Sequence, residues 1–145
     1  ITFKFNANKG GIEKEIARIA SGGELSRLML AVKSLISTRN LLPTIIFDEI
    51  DAGVSGDIAG KVGKILRSMA GNMQVIVITH LPQIAGKGDH HFRVYKDIVG
   101  EMAVTRISKL DPEGRVEEIA KLLSDEKVTT SAVDAAKELL DVKRN

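Results

Sequence analysis

Two apolar runs constrain this chain more than anything else in it: Thr44-Ile45-Ile46-Phe47, and the stretch from Met73 through Val75-Ile76-Val77-Ile78 to Thr79. Runs that do not alternate with polar residues mark strands buried on both faces, which is the habit of parallel sheets. Between them, Ile58, Val62, Ile65, Leu66 and Met69 recur at helical spacing, and Gly71-Asn72 stops the helix. The pattern predicts two neighbouring parallel strands with helices on both faces, an α/β layered arrangement. Each strand runs into residues able to do chemistry. The first ends in Asp48-Glu49 and the second in His80. Ligands of open α/β sheets bind beyond the carboxyl ends of the strands, so these residues are expected on one edge.

The flanking sequence supports the same class. Ile1 to Asn6 alternates and predicts a half-buried strand, followed by a turn at Asn8-Lys9-Gly10-Gly11; the conformation of Ile12 to Ala20 stays open. A helix is expected from Ser21, with Leu25, Leu28, Met29, Val32, Leu35 and Ile36 as its apolar stripe and Asn40 and Pro43 closing it. Gly53 to Gly56 reads as a loop. His91 to Lys96 and Glu101 to Ser108 alternate around the link Asp97-Ile98-Val99-Gly100, which predicts an antiparallel hairpin. Asp111-Pro112 starts a helix marked by Val116, Ile119, Ala120 and Leu123, and a last helix carries Val133, Ala136, Leu139 and Leu140. With 145 residues and neither repeat nor linker, one domain is expected. A net charge of +2 makes no case for nucleic acid by itself, and the absence of cysteine rules out disulfides and thiolate metal sites and suits a reducing compartment.

Three short constellations carry the candidate chemistry. Ser21-Gly22-Gly23-Glu24 has the spacing of a capping box, and a well-capped helix is its plain explanation. That explanation leaves two consecutive glycines unaccounted for, each costing a helix about 1 kcal/mol relative to alanine. A helix start stripped of side chains, with a serine hydroxyl beside it, is also where a phosphate settles. Asp48 and Glu49 are adjacent carboxylates at a strand end. They are either solvated acids or a pair in which Asp48 holds hydrated magnesium and Glu49 orients or deprotonates an attacking water. Asp51 lies just beyond, as a turn residue or an interface contact. His80 is either a lone satisfied histidine or a contact to a terminal phosphate. His90 and His91 read as surface or hairpin residues, and Arg27, Lys33 and Arg39 as a solvated face. No G-x-x-x-x-G-K-[ST] phosphate loop is present; Gly56 to Lys61 comes nearest, without the spacing or the hydroxyl.

Taken together, in this order and spacing, the constellations resemble the conserved segments of ABC-type ATPases. Ser21 to Glu24 matches their signature motif, Ile45 to Glu49 their Walker B strand and catalytic glutamate, Asp51 to Gly56 their D-loop, and Thr79-His80 their switch histidine. The wording Ile19 to Arg27, Phe47 to Gly56 and Thr79 to Ala85 is similar to that of the RecN family, bacterial DNA repair proteins related to the SMC proteins, and the likeness runs through the hairpin to Leu123. The resemblance implies the C-terminal lobe of an ABC/SMC-type P-loop ATPase head, spanning residues 1–145, with parallel strands flanked by helices plus a β-hairpin. It implies ATP and Mg2+ as cofactors, Glu49 and His80 as catalytic residues and Asp48 at the metal. It makes Ser21, Gly22, Gly23, Glu24 and Asp51 nucleotide-binding, the first three serving nucleotide held by a second head. It further implies a homodimer through ATP, an N-terminal Walker A lobe as intramolecular partner, DNA contact, and a cytoplasmic, nucleoid-associated role in double-strand break repair and recombination, with no membrane. The start at Ile1 and the missing phosphate loop point to a piece of a longer protein.

Two other readings stand beside this one. A transporter-type ABC lobe is disfavoured by Asp51-Ala52-Gly53-Val54-Ser55-Gly56, because transporters carry a leucine-containing D-loop. A non-enzymatic interaction module on the same fold is disfavoured by the intact Asp48, Glu49 and His80.

Overall fold

The computed structural model describes residues 2, 4–6, 14–16, 22–37, 43–48, 50–124 and 127–140. They fall into two compact units, Ile1–Thr79 and His80–Asn145.

In the first unit β1 (Lys4–Phe5) pairs antiparallel with β2 (Lys14–Glu15), so the expected N-terminal strand is two residues long and the segment left open supplies its partner. Helix α1 (Gly22–Ser37) leads to β3 (Thr44–Phe47), α2 (Gly56–Ala70) and β4 (Gln74–Val77). β3 and β4 are parallel neighbours, in register from Thr44↔Gln74 to Phe47↔Val77, with α2 as their crossover. The predicted strand–helix–strand unit is therefore present. One face of it buries Ile45 and Phe47 with Ala59, Val62, Leu66 and Met69 of α2.

The opposite face corrects the expectation of strands buried on both sides. Ile46 and Ile76 face each other across the ladder and, with Ile78, are exposed, Ile46 at 59%. Two strands and one crossover helix give cover to only one face of the sheet. The helix stripes shift for the same reason. Ile58 and Ile65, expected inside, are exposed on α2. On α1 Leu30 is buried, while Leu25, Met29, Val32 and Leu35 of the predicted stripe lie exposed. Lys33 is not simply solvated either, because its Nζ sits 5.2 Å from the centre of the Phe47 ring, a cation–π distance.

The second unit contains α3 (Pro82–Ala85), a one-turn helix. The hairpin follows as β5 (Phe92–Val99) and β6 (Met102–Lys109), paired from Phe92↔Lys109 to Val99↔Met102. Asp97, Ile98 and Val99, expected in the link, are strand residues, and the turn narrows to Gly100-Glu101, with Gly100 at φ 65°. Only a residue tolerant of positive φ permits so short a turn. Helices α4 (Pro112–Leu122) and α5 (Thr130–Leu139) pack through Ile119, Ala120, Ala132 and Ala136, and Ala85 of α3 joins that core.

Candidate nucleotide site at the strand ends

The site is built where β3 and β4 end. The main-chain ladder persists one residue past β4, with the Ile78 amide donating to the Phe47 carbonyl at 2.9 Å. Asp48 follows β3 directly and is exposed. The chain then turns through residues 50 to 56, anchored by the buried side chains of Ile50 and Val54 and by the Val54 amide donating to the Asp51 carbonyl at 3.0 Å. Gly53 and Gly56 both take positive φ in this loop, 67° and 52°. These constraints close the loop tightly onto the start of α2.

Asp51 behaves unlike its exposed neighbour Asp48. Its side chain is buried at 4% exposure, and its Oδ2 accepts a hydrogen bond from Thr79 Oγ1 at 2.6 Å. A carboxylate withdrawn from water needs such a partner, and bonds to an ionised acceptor are the short, strong ones. In sequence Thr79 merely closes the second apolar run and precedes His80. Nothing in a 28-residue separation announces this pairing; it follows from the parallel register, which brings the two loops side by side.

Gly22, Gly23 and Glu24 form the first turn of α1, which puts unpaired backbone amides at the helix start. Ser21 and Glu49 lie outside the described residues. His80 is exposed and opens the second unit. Lys61, in the nearest approach to a phosphate loop, lies on the exposed side of α2 and pairs with Asp57 one turn away at 2.7 Å, an ordinary helix-surface contact.

Among the described residues no group of three or more His, Cys, Asp or Glu side chains could hold a metal ion. A magnesium that arrives with nucleotide does not need one. It keeps most of its water and takes one or two carboxylates together with phosphate oxygens, and an exposed Asp48 at a strand end fits that habit.

No helix among the described residues is long and apolar enough to cross a membrane. No protein-family profile matches the chain. Among curated proteins it is 45% identical over 140 residues to the DNA repair protein RecN of Rickettsia conorii, covering 97% of this chain and 26% of the relative. The RecN protein of Vibrio cholerae is 44% identical over 140 residues, with 97% and 25% covered, and that of Halalkalibacterium halodurans 39% identical over 142 residues, with 98% and 25% covered. The chain thus spans about a quarter of the length of the curated relatives it matches. Among solved structures, the Smc head domain with a coiled coil and joint from Pyrococcus yayanosii superposes with a TM-score of 0.63 at 23% identity, covering 79% of this chain and 21% of that one. A second, from work on ATP-driven dimerization and DNA-stimulated activation of SMC ATPases, gives a TM-score of 0.57 at 22% identity, covering 81% of this chain and 70% of that one. The chain is thus similar in sequence to about a quarter of RecN, and its fold is like that of solved SMC head domains.

Proposed function

We propose that the chain is the C-terminal lobe of an ABC-type ATPase head, and that the complete protein hydrolyses ATP in the service of DNA double-strand break repair and recombination. One observation carries the reading: β3 and β4 lie in parallel register, and the first strand delivers an exposed Asp48 at its carboxyl end, in a chain homologous to RecN. ATP with Mg2+ supplies a phosphoanhydride whose terminal phosphoryl group water can attack. The chain's own residues then divide the work. Asp48 would hold the metal, which would neutralise charge on the phosphates. Glu49 orients the attacking water and takes its proton, and His80 donates to the terminal phosphate. Asp51 completes this edge from within the loop. Ser21, Gly22 and Gly23, with Glu24 in the same turn, offer the α1 amides to nucleotide carried mainly by a second copy of the head.

The exposed apolar surfaces support a second part of the proposal. Ile46, Ile76 and Ile78 on the sheet, and Leu25, Met29, Val32 and Leu35 on α1, are surfaces that a water-facing protein normally covers. The relatives have some three quarters of their length outside the matched region, so an N-terminal lobe bearing the phosphate loop is the natural cover. The complete protein then works as a homodimer through ATP, touches DNA, and acts in the cytoplasm on the nucleoid.

The test uses the complete protein. Glu49→Gln keeps the shape of the side chain but takes no proton, so nucleotide binding persists while single-turnover hydrolysis falls by about 10²–10⁴-fold. Asp48→Asn weakens magnesium-dependent nucleotide binding instead. Near-normal turnover in Glu49→Gln removes it from the site.

A further inference from the structure

Resting on that ATPase reading, we infer that Asp51 is a positioning residue that acts through Thr79, rather than touching nucleotide itself. Asp51 is the buried charged residue of the described core, flanked by the buried Ile50 and close to the buried Val54. Its carboxylate is turned inward, to a hydroxyl 2.6 Å away. That orientation does not suit a side chain meant to reach a ligand beyond the sheet. It suits a brace.

What the brace holds is set by its place. Among the described residues, the backbone ladder between β3 and β4 reaches as far as the Ile78 amide on the Phe47 carbonyl. Past that bond, side chains can add to what holds the two segments in register. Asp51 and Thr79 make one more rung there. Thr79 is covalently followed by His80, and in sequence Asp51 comes three residues after Asp48 and two after Glu49. The bond therefore fixes the two backbone segments from which the candidate chemistry departs. Loss of the bond moves reacting groups without removing any of them, and catalysis is sensitive to displacement on the scale of about 1 Å.

A direct ligand, a plain structural bond and a brace leave different kinetic marks. A direct ligand raises KM and takes no account of Thr79. A plain structural bond lowers stability and leaves kcat per folded molecule unchanged. A brace lowers kcat, spares nucleotide affinity, and makes Asp51 and Thr79 interdependent.

The experiment compares Thr79→Val, Thr79→Ser, Asp51→Ala and the Asp51→Ala/Thr79→Val pair in the complete protein. It measures ATP hydrolysis and, separately, ATP affinity with Mg2+, both corrected for the folded fraction. Thr79→Val is expected to lower kcat on the order of 10-fold, the scale set by a hydrogen bond to a charged group. Affinity should stay within about 3-fold, Thr79→Ser should restore turnover, and the double variant should be no slower than the slower single one. Losses that multiply in the double variant overturn the inference, as does a raised KM at unchanged kcat in Asp51→Ala. If Asp51→Ala does not fold, the Thr79→Val and Thr79→Ser comparison decides alone, and undiminished turnover in Thr79→Val overturns the inference while leaving the ATPase reading intact. An unaltered complete protein that hydrolyses no ATP brings down that reading, and the inference with it.

Discussion

The imidazole of His91 sits half-buried, hydrogen-bonded to the Ala85 backbone and beside the Arg115 guanidinium, which itself donates to the Gly88 carbonyl at 2.7 Å. Burial first, and the Arg115 charge second, hold its pKa below the ordinary 6.5, outweighing the Ala85 bond. A base that is harder to protonate when folded ties stability to pH in one direction. As pH falls through 6.5 the unfolded chain takes up its proton first, so this contribution is complete above 6.5 and is lost as pH drops toward the folded value. Denaturant unfolding between about pH 8 and pH 5 checks this, with His91→Gln expected to flatten the acid-side decline. Equal slopes in the two proteins would clear His91 of the effect. Sequence alone could not separate His91 from His90. Both read as surface residues, yet only His90 is exposed. Which of two adjacent histidines turns inward depends on Ala85 of α3 and on Arg115 of α4, the latter 24 residues further along the chain and invisible to local pattern.

At the scale of elements, what was legible followed from local chemistry. The Asp111-Pro112 start of α4 is as expected: the Gly114 amide donates to Asp111 Oδ1 at 2.7 Å, and Pro112 occupies the first turn. The β3 limits and the parallel pairing were equally readable, because β-branched apolar runs leave few alternatives. The hairpin turn was misplaced by three residues because Asp97 looks like a turn former. In the fold its carboxylate accepts from Arg106 Nε across the strands at 2.8 Å. The α4 cap supports a sharp prediction. Asp111→Ala should cost about 1 kcal/mol in the unfolding of this unit. Gly114→Ala, which ordinarily gains about 1 kcal/mol within a helix, should gain nothing, because the new Cβ would stand 2.9 Å from Asp111 Oδ1 and displace the cap. A clearly stabilised Gly114→Ala protein, measured by thermal unfolding, would refute the cap's importance.

At the scale of the whole molecule, the absent phosphate loop was legible at once, and so was the order in which Ser21 to Glu24, Asp48-Glu49 and His80 follow one another. The direction in which the apolar faces look was not. A run of isoleucines states that a face wants cover but not whether the same segment provides it, and here Ile46 and Leu35 remain at 59% and 72% exposure. Such a segment is incomplete in a second sense if its α1 start serves nucleotide held elsewhere. The helix start offers amides to an anion and its glycines leave room for one, yet no phosphate loop lies in this chain to carry that anion. We predict, then, that Ser21→Arg in the complete protein leaves ATP binding to its own head intact and abolishes hydrolysis by spoiling the composite site. Mixing that variant with an inactive phosphate-loop lysine variant decides the matter. A mixed dimer holds one site with both defects and one with neither, so its turnover should reach about half that of the unaltered dimer, after allowance for the inactive homodimers. Mixtures that stay as inactive as their parents, with subunit exchange demonstrated, would confine Ser21 to Glu24 to their own subunit.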